Sequence, residues 1–102
     1  MASRLTLHKE LCMLLGSNNV YFQPPESIKL KFPCIIYTLD KGDARFADNR
    51  VYSYTHQYTI TYIDSNPDHD MIDKMFTSFS MCVHDRRFIS NNLYHDVFSL
   101  YY

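Results

Sequence analysis

The run VYSYTHQYTITYI, from Val51 to Ile63, alternates without a slip. Tyr52, Tyr54, His56, Tyr58, Ile60 and Tyr62 fall on one side; Val51, Ser53, Thr55, Gln57, Thr59, Thr61 and Ile63 fall on the other. Successive strand side chains take opposite faces, so this period of two predicts a long β-strand with one aromatic and one mostly hydroxyl-bearing face. Tyr and Thr suit a pleated, half-buried surface, and no Gly or Pro interrupts them. At ~3.3 Å per residue the run reaches about 43 Å. That exceeds both the ordinary strand of ~17–20 Å and the ~13 Å radius of gyration of a domain this long. The strand must therefore bend, break or project, and a projecting strand points to a second chain.

Upstream, Pro33 opens a strand from Cys34 to Leu39 that is apolar on both faces and so reads as central. Between the two strands lies DKGDARFADNR, Asp40 to Arg50, with Gly42 and Asp48-Asn49 as turn residues. It is too long for a tight hairpin turn and predicts an extended, excursive loop. Downstream, Ser65-Asn66-Pro67 stops the strand and starts a helix, with Ser65 or Asn66 as cap and Asp68 and Asp70 at its positive end. Ile72, Met75, Phe76, Phe79 and Cys82 supply its apolar stripe, and Asp85 with Arg86-Arg87 is expected to end it. Phe88-Ile89 reads as a short strand before a turn at Asn91-Asn92. Leu93 to Tyr102 reads as extended chain, apolar enough to need packing in the sheet or against a neighbour.

At the other end, Ser3 is a candidate cap for a helix reaching Leu15, with Leu7, Leu11, Leu14 and Leu15 on one stripe and Gly16 as its stop. Val20 to Gln23 is a short strand closed by Pro24-Pro25. Glu26 to Phe32 is either a surface connector with its apolar side laid on the core or a plain edge strand. The order predicts one α+β domain over residues 1–102: a small, mainly antiparallel sheet, two helices packed on one face, and a long β-hairpin with an extended loop.

Ten basic and eleven acidic residues give a formal charge of −1, which lacks the cationic excess of an autonomous nucleic-acid binder. No apolar run approaches the ~20 residues that span a bilayer, so a soluble, membrane-free chain is expected. Cys12, Cys34 and Cys82 are odd in number and widely spaced, which favours free thiols in a reducing cytoplasm over a disulfide framework.

Chemistry-bearing patterns are sparse. His8, His56, His84 and His95 have no zinc-ligand spacing among themselves or with the cysteines, and His69 between Asp68 and Asp70 reads as the acidic start of a helix. The neighbours His84-Asp85 and His95-Asp96 face opposite ways on a strand. No GxSxG, Walker A or GxGxxG occurs, so neither an enzyme nor a bound metal or cofactor is expected. Tyr52, Tyr54, Tyr58 and Tyr62 offer a base-stacking face for single-stranded nucleic acid, but without the accompanying cations. Tyr on such a face fits a core below and a protein interface above.

Three segments, YFQPPESIKLKFPCIIY, ADNRVYSYTHQYTITYIDSNPD and DRRFISNNLYHDVFSLYY, together resemble the tail-terminator or tail-completion proteins of long-tailed bacteriophages, also called minor tail or head–tail joining proteins. The resemblance runs from about Val20 to Tyr102 and rests on structural segments, not on a catalytic signature. It implies a homo-oligomeric ring, hexameric in such families, at the neck of the virion. The ring caps the tube of the major tail tube protein, ends its polymerisation and docks the head–tail connector or stopper proteins; before that it assembles in the host cytoplasm. A head-completion or connector-adaptor protein is the near alternative. By position, the resemblance places subunit and tube contacts at Asp43, Arg45, Phe46, Asp48, Asn49, Arg50, Tyr52 and Tyr54, and in the tail at Phe98, Tyr101 and Tyr102.

Overall fold

A computed structural model describes residues 4–47 and 50–102, with side chains described outside 41–55. The elements run α1 (Arg4–Leu15), β1 (Val20–Phe22), β2 (Cys34–Ala47), β3 (Arg50–Asp64), α2 (Met71–Ser78), β4 (Cys82–Ser90) and β5 (Leu93–Tyr101). The architecture is α+β, as the sequence predicts. The five strands form one sheet in the order β1-β2-β3-β5-β4. Only β1 with β2 is parallel; the other pairs are antiparallel.

Register explains the layering. Ile35 and Tyr37 stand opposite Tyr62 and Ile60; Tyr62, Ile60 and Tyr58 in turn stand opposite Asp96, Phe98 and Leu100. These side chains share one face and are buried with Leu7 and Leu11 of α1 and Met71 and Met75 of α2. From Tyr58 to Tyr62 the aromatic side of the long strand is thus the floor of the core, and both helices cover it. The opposite face carries Thr38, Gln57, Thr59, Thr61 and Ser99, all partly exposed. Cys34, Ile63 and Val97 are buried on that side.

Local signals account for the ends of the elements. Gly16 takes φ +78°, a left-handed conformation that glycine adopts without steric cost, and its N–H returns to Cys12 O to finish α1. Asn91 and Asn92 sit at φ 53° and 62°, the two positive values that a tight primed turn requires, and Asn tolerates them. Ser3 lies outside the described residues.

Three expectations are corrected. The predicted loop from Asp40 to Arg50 is mostly strand: the ladder between β2 and β3 continues to Ala47↔Arg50, so the pair is a long hairpin. Gly42 lies within β2, while Asp48 and Asn49 are outside the described residues. The second helix is eight residues long, and the segment expected to extend it becomes edge strand β4. The connector before Pro33 is not a strand, and its apolar side is not laid on the core, since Ile28 and Phe32 are exposed.

Candidate functional site

The sheet is unequal in width along its length. β1 pairs with β2 only at Ile35–Tyr37, and β5 pairs with β3 only from Gln57 to Asp64. The terminal Tyr102 adds one rung, its N–H donating to His56 O and His56 N–H to Tyr102 O. Beyond that point, among the described residues, the β2 and β3 backbones pair only with each other, from Asp43↔Thr55 to Ala47↔Arg50. The result is a two-stranded arm, and the molecule measures 51 × 29 × 23 Å. A lone two-stranded ribbon is marginal in water, because each strand has one unpaired edge and no face to pack. Asp43, Arg45, Phe46, Arg50, Tyr52 and Tyr54 lie in the arm's strands by backbone position. Their side chains, like Asp48 and Asn49 entirely, are outside what is described.

The three tail residues divide. Phe98 is fully buried beneath the helices, so it belongs to the core and is withdrawn as a contact for a neighbour. Tyr101 stands opposite Gln57 on the face away from the helices and is partly exposed. Tyr102 closes a junction: its ring meets Phe79 edge-on at 6.1 Å and its hydroxyl donates to Glu10 Oε2 at 2.7 Å. Burial, then the bond to Glu10, pushes that phenol up to about 12. Beside this junction a cleft of about 310 Å³ opens between α1 and the end of α2, lined by Glu10, Met13, Leu14, Ser78 and Phe79. Met13, Phe76 and Met81 are exposed apolar side chains. They belong to α1, α2 and the segment just before β4.

Pattern reading missed a buried polar cluster at the other end of the sheet. Asp96 is fully buried. Four N–H donors converge on its two oxygens: Arg87 Nε at 2.8 Å and His84 Nε2 at 3.1 Å on Oδ1, and His69 Nε2 at 2.6 Å and Arg87 Nη2 at 3.2 Å on Oδ2. That fills the acceptor capacity of a carboxylate. Burial pushes the carboxyl up, but the bonds from Arg87, His84 and His69 outweigh it and hold Asp96 below the usual carboxylate value. The acceptor is therefore ionised, and both imidazoles must carry a proton on Nε2. Arg87 Nη1 also donates to Pro67 O, so one carboxylate joins β4, β5 and the β3–α2 connection.

A β-bulge makes this possible. His84 stands opposite Phe98, but the next partners are Arg86↔Val97 and Arg87↔Asp96, which leaves Asp85 as the inserted residue. A one-residue shift in register exchanges the two faces. Without the bulge, Arg86 would stand opposite Asp96. Sequence alone gives no partner to His84 or Asp96, since the neighbours His84-Asp85 and His95-Asp96 face opposite ways on a strand; the fold brings His84 to Asp96 across the ladder.

The chemical inventory is modest. His69 resembles the acid-oriented base of a catalytic dyad, but its Nδ1 accepts the Met71 N–H at 3.2 Å, so both ring nitrogens are engaged. Burial pushes the thiols of Cys34 and Cys82 up to about 11, with Asp85 adding to the shift at Cys82, which is opposite to what a nucleophilic cysteine needs. Among the described residues, no group of three or more His, Cys, Asp and Glu side chains is arranged to hold a metal ion. No helix among them is long and apolar enough to cross a membrane. Tyr58 and Tyr62 lie in the core, where no base can stack on them; Tyr52 and Tyr54 are outside the described side chains. No protein-family model matches the chain, and neither does any curated protein.

Proposed function

We propose that this chain is a structural subunit of a long-tailed bacteriophage, a tail terminator without catalytic activity that forms a ring on the end of the tail tube. The ring, hexameric by the resemblance, stops tube growth and presents a surface to the head connector. The observation that carries the reading is the arm: a two-stranded ribbon that runs past the last rungs with β1 and β5. Such a ribbon gains most when another subunit covers it, and contacts between different patches on successive copies close a ring when the rotation closes. The resemblance places the charged residues Asp43, Arg45 and Arg50 on this arm, where they set register at modest affinity per contact. Repetition around a ring supplies the remaining affinity.

The test is to mix the purified chain with tail tubes and, separately, with portal-bearing heads, and to image labelled chain on mature particles. A cap on tube ends and label at the neck are expected. Binding to heads alone would reassign the chain as a head-completion or connector adaptor, and absence from particles would end the proposal.

A further inference from the structure

We infer that His69 is an acid-sensitive latch on the first turn of α2. A helix leaves its first N–H groups without partners inside the helix. Here Met71, the first helical residue, donates its N–H to His69 Nδ1 at 3.2 Å. His69 is held for this role on its other side, where Nε2–H donates to Asp96 Oδ2 at 2.6 Å and the side chain is only 4% exposed. The edge of its ring contact with Tyr62, centroids 4.5 Å apart, fixes the plane. The approach of Arg87 Nη2 to Nε2 at 3.4 Å brings two proton-bearing nitrogens together and is not a donation.

These contacts define one protonation state: neutral, with the proton on Nε2. A second proton has only Nδ1 to occupy, and there it meets the Met71 N–H head-on. Protonation therefore breaks the bond at the start of α2 while keeping, and adding charge to, the bond to Asp96. The charged and titratable groups around the imidazole come from every neighbouring element. Tyr62 of β3, Arg87 of β4 and Asp96 of β5 touch it. His84 of β4 shares Asp96, Asp64 of β3 and Asp70 of its own connection act on Tyr62, and Asp68 of that connection and Tyr94 of β5 act on Arg87. His84 differs from His69 in leaving no helix N–H dependent on it, and its side chain is 26% exposed. The inference does not rest on the ring proposal.

The test follows the His69 ring by ¹⁵N NMR and the Met71 amide by hydrogen exchange between pH 7.5 and 5.0, the range in which histidines change charge. The ring is expected to start as the Nε2–H tautomer. As it takes up a proton, protection of the Met71 amide, corrected for intrinsic exchange, should fall by up to about ten-fold, the size of one net hydrogen bond. His84→Gln should keep that fall, and His69→Asn, which retains an acceptor without a titrating group, should abolish it. A ring that stays neutral to pH 5.0, or protection unchanged as it protonates, would overturn the inference. So would loss of the effect in His84→Gln. The wild-type measurement decides even where a variant does not fold.

Discussion

Asp96 shows how much one side chain can hold. Its carboxylate stands at the meeting point of two strands and a connection and accepts four N–H bonds from three side chains. Replacing it with Asn removes the charge and turns an acceptor oxygen into a donor that faces other donors. We predict that Asp96→Asn costs about 3 kcal/mol in urea unfolding at pH 7. The pH dependence has a definite sign. The folded carboxyl titrates below its unfolded value, so its contribution is complete above ~4 and disappears as pH falls through the lower, folded value. The gap between wild type and variant should close below pH 4; a gap constant to pH 2 would contradict this. Tyr37 offers a milder case. It is fully buried under α1 and its hydroxyl lies 2.7 Å from His8 Nδ1 and 3.2 Å from Arg4 Nη1. Tyr37→Phe should cost about 1 kcal/mol, read as a shifted denaturation midpoint with unchanged slope.

Among the elements, the long strand, α1, the short β1 and the terminal strand were legible because their periods are clean. The boundary between α2 and β4 was not. Ile72, Met75, Phe76, Phe79 and Cys82 satisfy helical spacing through residues that in the fold have already left the helix. The bulge at Asp85 then erases the alternation by which β4 would have announced itself. An edge strand is also polar on its open side, much like a helix surface. The Asp96 cluster was invisible for the same reason, since it exists only once the β4–β5 register is known. The bulge leads to a prediction: Asp85 is the extra residue, so deleting it leaves His84 opposite Phe98, Arg86 opposite Val97 and Arg87 opposite Asp96 in a regular ladder. The deletion loses the bond that Ser99 Oγ donates to Asp85 at 2.6 Å and should cost no more than about 1 kcal/mol. Loss of cooperative unfolding in the deletion variant would show that the bulge shapes more than register.

At the scale of the molecule, both outer edges of the sheet are guarded. β1 is three residues long and Pro24-Pro25 follows closely; past it, Gln23 Oε1 accepts the Leu39 N–H and covers the next β2 position. β4 is broken by its bulge and carries Arg86 and Arg87. Short strands, bulges and charges are how proteins prevent indiscriminate edge pairing. That leaves the arm as the stretch of unpaired strand with no such cover from β1 or β5, and assembly should depend on it alone. Replacing residues 44–54 with a two-residue Asn-Gly turn leaves Asp43 opposite Thr55 in the native register and breaks no rung with either neighbouring strand. We predict that this variant, about 1 kDa lighter than the 12.1 kDa chain, is a folded monomer with a melting temperature within about 4 °C of wild type. Light scattering should find wild type, seeded with tail tubes, in species several times that mass, and the arm-less variant in none of them. If the shortened chain still joined the tubes, the arm would not be the contact.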